Sequence, residues 1–553
     1  MLTLSNNYFQ IPCSLGPFFN LSKLKYIYAD NNSIYAEIEK HHLSPRFQLN
    51  EISLSCCGDG GLFPQFLYHQ HDLQSVDLSN IYFKGDQFPT WLLGNNKKLD
   101  NLILINNSLS GPFRLPLASH LDLSIFDVSN NFFSGSIPTG IGAKLPSLMF
   151  MNMSMNYFNG SILSSFGDMS SLESLDLSNN QLSGGIPEHL AMGCSSIPSW
   201  MGNMSSLSTL DLSKNHLLSR IPWWMGSTSI LKQIAMADNH LEGPIPWEFC
   251  KLNHVLQFLD LSVNNISRSL PSCFKPLLIN EVHLSKNRLQ GPLPDAFRDN
   301  VLLVTLNLSY NHLTGTIPNW ISRLSALSYL LLKRSHYEGE IPIQLCKLAQ
   351  LSLIDLSHNN LFGGIPPYLK VTALNYLSNQ YVHSLFTTSN GTKPLIEQPI
   401  EYTIKSVSYS YKKRNLAYMS GIDLSCNKLI GEIPYETEDF SQHFDRTNPT
   451  SALLPRANRK SSSYNNLSGN ILLEIVKLHF LAFLMCYITT HLERHLKPLH
   501  KLEHLMKAAI WEILFFVANH CKRTAQQLNH HPQQRLQLAT EKTMVQLTWM
   551  PFM

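Results

Sequence analysis

No apolar run in this chain reaches the roughly 18 residues needed to span a bilayer. The best, LHFLAFLMCYI at 478–488, is too short and comes after Glu474 and Lys477. An excess of one charge is also missing: 42 Lys and Arg against 39 Asp and Glu leave a formal charge of +3 over 553 residues. No bulk basic field therefore points to nucleic acid. The amino terminus lacks the basic start and apolar run of a secretory leader. MLTLSNNYFQIP instead has Leu2, Leu4 and Asn7 already in phase with the leucine and asparagine spacing of the later chain. Met1 is therefore expected to be an internal start or the mark of a truncation. Ten cysteines are scattered, and none forms a CxxC pair of zinc spacing. Catalytic signatures are absent as well: no phosphate-binding glycine loop, kinase lysine strand or DFG, no GxSxG and no metal cluster. HLERH at 491–495 has its Glu one place late for a zinc protease. Neither an enzyme nor a cofactor is expected.

What is present is a repeat. In SLESLDLSNNQLSGGIPEHL (171–190) a leucine-flanked LDLS precedes Asn, Leu, Gly and Ile-Pro. The pattern recurs on Asn107, Asn131, Asn156, Asn180, Asn215, Asn239, Asn264, Asn287, Asn311 and Asn359, mostly every 23 to 26 residues. Weaker copies fall on Asn7, Asn32, Cys57, Ile81 and Ser335. That period and L-x-x-L-x-L-x-x-N/C-x-L core define a leucine-rich repeat. The fold class is therefore an α/β repeat solenoid, a horseshoe with a parallel concave β-sheet and short extended or 3-10 convex segments. About fifteen strands at about 4.8 Å would give a sheet on the order of 70 Å long.

Each letter has a physical reason. Period-2 alternation marks a half-buried strand, with Leu175 and Leu177 inward and Asp176 and Ser178 outward. The Asn amide both donates and accepts, so a file of Asn can satisfy backbone groups left unpaired where the strand ends. Ile81 lacks that capacity and Ser335 has little of it, so their coils are expected to be looser. Gly184 permits a tight bend, and Pro187 suits an extended convex segment with no amide to offer. The Asp column (Asp127, Asp176, Asp211, Asp260, Asp355, Asp423) repeats with the period and so stems from the scaffold, not from a reaction.

The array is expected over 1–367, with a partial coil near 191–200 where the spacing from Asn180 to Asn215 stretches to 35 residues. An insertion at 368–418 lacks the repeat and carries EYTIKSVSYSYKKR (401–414), in which Lys405, Tyr409, Tyr411, Lys412 and Lys413 are candidate contacts. Broken repeats occupy 419–471. From 472 to 553 there is no glycine, eight of the 23 histidines occur after residue 470, and a helical or disordered tail is expected.

SGIDLSCNKLIGEIP (420–434), GEIPIQLCKLAQLSLIDLSHNNLFGGIPP (339–367) and the insertion ending in YKKRNLAYMSGIDLS together resemble plant receptor-like proteins, cell-surface leucine-rich-repeat receptors without a kinase. The resemblance covers residues 1 to about 434. It implies an extracellular location at the plasma membrane, an island interrupting the array, a membrane anchor that this chain does not itself show, and an adaptor receptor kinase as partner. Sequons at Asn20, Asn31, Asn203 and Asn390 fit such an ancestry. Cys250 and Cys273, about one repeat apart, would meet on neighbouring coils as a disulfide in a secreted protein, or stay ordinary small buried residues.

The expected function is recognition of an extracellular peptide, protein or glycan. A secreted inhibitor of microbial wall-degrading enzymes, or a receptor gene fragment without a role, are the alternatives. Contacts are expected from exposed strand positions, chiefly the residue before each Asn. That column varies widely (Asn130, Met155, Asn179, Lys214, Asp238, Val263, Lys286, Tyr310, Arg334, His358) beside a near-constant Ser. Lys333 breaks the Ser column next to Arg334, which makes Lys286, Tyr310, Lys333, Arg334 and His358 the first candidate ligand site.

Overall fold

The computed structural model describes residues 1–36, 44–55, 57–85, 87–187, 206–227, 230–369, 400–404, 407–411, 420–432, 434, 458–461 and 465–467. The chain divides into two units, Met1–Tyr487 and Ile488–Met553; every described residue lies in the first. Among the described residues no helix is long and apolar enough to cross a membrane.

One short strand per coil builds a 17-stranded sheet. Each strand pairs in parallel with that of the next coil, as in Thr305↔Tyr329, Leu306↔Leu330 and Asn307↔Leu331. The register never slips by a residue, because a slip would turn the leucines outward. Leu306, Leu330 and Ile354 are fully buried and belong to one continuous core. In the first coils that core is rich in phenylalanine, with Phe88, Phe113, Phe126, Phe133 and Phe158 in ring contact across successive coils. A second, lateral set of parallel strands comes after the Asn. It forms a three-stranded stretch over Gln10–Pro12, Ser33–Tyr35 and Cys57–Asp59, a six-stranded stretch up to His216–Leu218 and an eight-stranded stretch from Glu242–Gly243, the last two linked by an Arg220↔Glu242 bridge. Gly315 then turns the chain at φ 75°, a left-handed conformation that side chains other than glycine's seldom adopt. Convex segments are mostly single 3-10 turns, such as Asn319–Arg323.

The Asn file works as its chemistry predicts. Asn311 Nδ2 donates to Leu284 O of the previous coil at 2.9 Å and to Leu308 O of its own at 3.0 Å. Its Oδ1 accepts from Leu289 N at 3.0 Å. The same three contacts recur at Asn131, Asn180 and Asn239. Ile81 fills the position with apolar packing: a Cβ added to Gly60 would fall 2.6 Å from Ile81 Cγ2 and 2.4 Å from Phe83. Ser335 leaves its Oγ buried without a hydrogen-bond partner. By register, an Asn there would accept from Leu313 N and donate to Leu308 O. Ser335→Asn is expected to stabilise the protein by about 1 kcal/mol, read as a raised unfolding temperature; a lowered one would rule out the ladder as the reason for Asn at this position.

The outward side assigned to Asp176 and Ser178 is not open to solvent. Both face away from the leucines, yet Ser178 is buried, as are Asp127, Asp211, Asp260, Asp355 and Asp423 of the same columns. The reason is local. Asp176 Oδ1 accepts the Ser178 N–H at 2.9 Å, and the arrangement repeats at Asp127, Asp211, Asp260, Asp355 and Asp423. A carboxylate that folds back on the amide two residues ahead makes an Asx turn. That turn steers the chain out of the strand toward the Asn, and neighbouring coils then shield it.

Strand Ser174–Asp176 pairs directly with Thr209–Asp211, so the long spacing leaves no gap in the sheet; the partial coil near 191–200 lies outside the described residues. Likewise Leu353–Asp355 pairs with Ser420–Asp423 across the insertion. Within the insertion, Ile400–Ile404 and Val407–Tyr411 form an antiparallel hairpin. The sheet continues to Asn458–Ser461. The tail from 472 lies outside the described residues.

Candidate functional site

The residue before each Asn is not a strand residue, as the alternation suggests. It sits just beyond, in a left-handed turn: φ is 55° at Lys286, 56° at Tyr310, 49° at Arg334 and 55° at His358. Where Asn307 or Asp355 ends the strand, its Asx turn to Ser309 or Ser357 leads into this conformation. Stacking then holds it from coil to coil. Tyr310 N donates to Lys333 O at 2.7 Å, Arg334 N to Ser357 O at 3.0 Å and His358 N to Ser425 O at 2.8 Å, each in the next coil. The backbone of the column is thus pinned while its side chains stand on the concave rim, where their chemistry can vary without cost to the fold.

Four of the five candidates come together. Lys286 Nζ lies 5.9 Å from the Tyr310 ring centroid, and Arg334 Cζ, on the coil beyond, lies 5.7 Å from it. One ring flanked by two cations is a cation–π arrangement, favourable by about 0.5–1 kcal/mol per contact at an exposed site. His358 comes on the next coil, half buried. Burial first, then the charges of Arg334 and Lys333, lower its affinity for a proton.

Lys333 does not belong to the exposed set. It is 6% exposed, and its Nζ lies 3.7 Å from Asp355 Oδ2. The serine at the same position one coil on, Ser357, stays in its own Asx turn with Asp355. The longer lysine reaches along the sheet to that carboxylate, and its role is to offset buried charge. Asp355, raised to about 6 by burial and then by the neighbouring Asp423, is pulled back by the ammonium. Sequence alone assigns Asp355 to the scaffold only; the break in the Ser column one coil before an Asp is the available signal of the pair.

Of the insertion candidates, Tyr409 and Tyr411 lie on the second hairpin strand, whereas Lys405, Lys412 and Lys413 lie outside the described residues. Asn20 and Asn31 are exposed, and Asn31 Nδ2 donates to Asn6 Oδ1 at 2.8 Å; Asn203 and Asn390 lie outside the described residues. A disulfide joins Cys250 to Cys273, with their Cα atoms 5.4 Å apart. Asn253 ties the same two convex segments again, by Nδ2 to Cys273 O at 2.9 Å and by Oδ1 to Lys275 N at 2.7 Å.

Comparison with known proteins bears on the repeats. The leucine-rich-repeat family profiles match residues 278–336 and, as single repeats, 171–192, 206–228, 255–277 and 350–371. Receptor-like protein 13 of Arabidopsis thaliana is 42% identical over 185 residues, 33% of this chain and 17% of that protein. Cuscuta receptor 1 of Solanum lycopersicum is 34% identical over 300 residues, 54% of this chain and 24% of that protein. The chain thus spans a quarter or less of the curated relatives it matches. The Arabidopsis receptor kinase HAESA, solved in complex with the peptide hormone IDA and the co-receptor SERK1, superposes with a TM-score of 0.57 at 24% identity, covering 87% of this chain and 80% of that one. That likeness shows the shared fold. The chain carries leucine-rich repeats, and its array is similar in sequence to parts of plant receptor-like proteins.

Proposed function

We propose that the array is the ligand-recognising part of a plant cell-surface receptor-like protein, which binds an extracellular peptide or protein on its concave face and performs no chemistry. The observation that carries the reading is the Lys286–Tyr310–Arg334 group, three neighbouring coils that set two cations about one aromatic ring. Aromatic and arginine side chains dominate the binding energy of interfaces. Here their backbones are fixed by the ladder, so little ordering cost remains on binding. An acidic group on the ligand would sit between the cations, and an apolar side chain against Tyr310. The insertion, with Lys405, Tyr409, Tyr411, Lys412 and Lys413, is a second contact surface. An adaptor receptor kinase as partner and an extracellular position at the plasma membrane are inferred from the relatives; HAESA, with the same fold, is described with both a peptide hormone and a co-receptor.

The test is binding of the full chain to an array of synthetic plant secreted peptides. At least one acidic or carboxylate-ended peptide is expected to bind. Arg334→Glu or Tyr310→Ala should weaken it about tenfold or more, equal to about 1.4 kcal/mol. Lys214→Glu, in the same column four coils away, should leave it unchanged. Equal losses for all three variants, or none for any, would overturn the assignment.

A further inference from the structure

The lateral face carries a second feature, two residues beyond the concave-rim column in each coil. The first residue after each ladder position, Asn or Ser335, lies at or just before the start of the lateral strand. Over six consecutive coils that position reads His216, His240, Asn265, Arg288, His312 and His336, and all but Asn265 are exposed. Successive rings approach each other: His216 and His240 have centroids 6.1 Å apart, and His312 and His336 5.8 Å. On the amino-terminal side the same column holds Phe132 and Tyr157, both nearly half exposed and stacked at 6.0 Å with 17° between planes.

Nothing in the scaffold requires this. The fold needs an outward side chain at the position, and Ser108, Gln181 and Asn360 fill it elsewhere. Solitary exposed histidines are ordinary; here four of them, in two pairs on adjoining coils with ring centroids 6.1 and 5.8 Å apart, flank Asn265 and Arg288 in one column. Groups that face the strip from the paired strands are neutral: Ser183 aligns with His216, Gln290 with His312 and Thr314 with His336. Leu218 lies beside His240, whose N–H donates to Leu217 O at 2.9 Å. Charged groups flank the strip in sequence: Lys214, Asp238, Lys286 and Arg334 lie two residues before His216, His240, Arg288 and His336, and Glu242 and Glu338 two residues beyond His240 and His336, aligned with Asn265 and Asn360 of the next coils. Arg220, whose stem packs on Gly243, accompanies Glu242.

We propose that this lateral strip, His216, His240, Arg288, His312 and His336, binds a linear acidic polysaccharide of the polyuronate class. The spacing selects the partner's chemistry. A polyuronate presents one carboxylate per sugar, regularly along a stiff chain, which suits a rigid file of cationic groups at a fixed repeat. Its sugar faces suit stacking against the exposed Phe132 and Tyr157 rings. Carboxylates stay ionised well below neutrality, and histidine is a side chain whose positive charge is gained on acidification. Binding therefore strengthens as pH falls, and it weakens with salt because both partners are exposed. The inference is independent of the concave-face reading.

The test uses the full chain, deglycosylated because Asn265 begins the sequon Asn265-Ile266-Ser267. The probes are an α-1,4-galacturonate oligomer long enough to reach from His216 to His336, its methyl ester, and a polyglutamate peptide of equal charge. Biolayer interferometry at about pH 5.5 and about pH 7.5 is expected to show the galacturonate binding at least tenfold tighter at the lower pH. The four His→Gln changes together should remove that difference, and Arg288→Glu should weaken binding at both pH values. Lys98→Glu, an exposed charge outside both sites, should do neither. Unfolding temperatures equal to wild type confirm that the exposed substitutions leave the coils intact. Equal binding of the methyl ester would remove the acidic ligand, and equal binding of polyglutamate would make the strip a surface for acidic peptides. Insensitivity to all strip substitutions would overturn the site itself.

Discussion

Asn311→Ala is expected to destabilise the coils around it by about 3 kcal/mol or more, because each of three buried polar groups left without a partner costs about 1–3 kcal/mol. The amide holds three backbone groups at once, Leu284 O, Leu308 O and Leu289 N, all beyond reach of water. Alanine removes every one of these bonds and opens a small cavity besides. A solenoid's stability is a sum over neighbouring coils, so the loss should be local. Hydrogen exchange is the measurement: amides of residues 281–315 should lose protection, and those of the first coils, before about residue 110, should keep theirs. Unchanged protection in the mutated coil would mean that leucine burial alone closes the turn and that the file of Asn is incidental.

A second large effect concerns pH. Asp211 is raised to about 7, first by burial and then by the charge of Asp176 on the adjoining coil; the Ser213 N–H and hydroxyl oppose the shift. Burial likewise brings Asp127 to about 6. In the unfolded chain these carboxyls ionise near 4. Between there and about 7 the folded state holds more protons, so stability falls as pH rises. Their contribution is complete below the unfolded value and is lost as pH passes the folded one. Asp211→Asn should therefore raise stability at pH 8 by about 1–3 kcal/mol and change little at pH 4, judged from one pKa unit being about 1.4 kcal/mol. The amide fits, since Asn152 and Asn307 already occupy that column and accept the Ser154 and Ser309 N–H groups. Thermal unfolding of variant and wild type from pH 4 to 9 gives the difference directly. A variant equally or less stable at pH 8 would show that the carboxylate is comfortable when charged.

The two predictions mark how much the sequence discloses. Asn at a fixed place in each repeat has one economical reading, because an amide is the side chain that can serve an orphan N–H and an orphan C=O together. Alternation likewise assigns Leu175 and Leu177 to the core, where both are buried. The same alternation misleads at Asp176 and Ser178. Period 2 tells which side of the strand a residue takes, but not that strands set about 4.8 Å apart screen each other's short side chains from water. It also places Tyr310 and Arg334 in the strand, because the left-handed turn that carries them is held by hydrogen bonds to the next coil, invisible in a hydrophobic pattern. Lys333 misleads for a related reason: it looks exposed beside Arg334, yet only the neighbouring coil brings Asp355 within 3.7 Å.

The sequence by itself determined the solenoid, its register and the identity of the residues that bridge one coil to the next, since those depend on a period and on side-chain chemistry that repeat within each coil. Tertiary structure alone decided which polar side chains are available to a partner. Availability depends on what the adjacent coils place alongside, and residues some 24 positions apart in the chain become neighbours only when the coils stack.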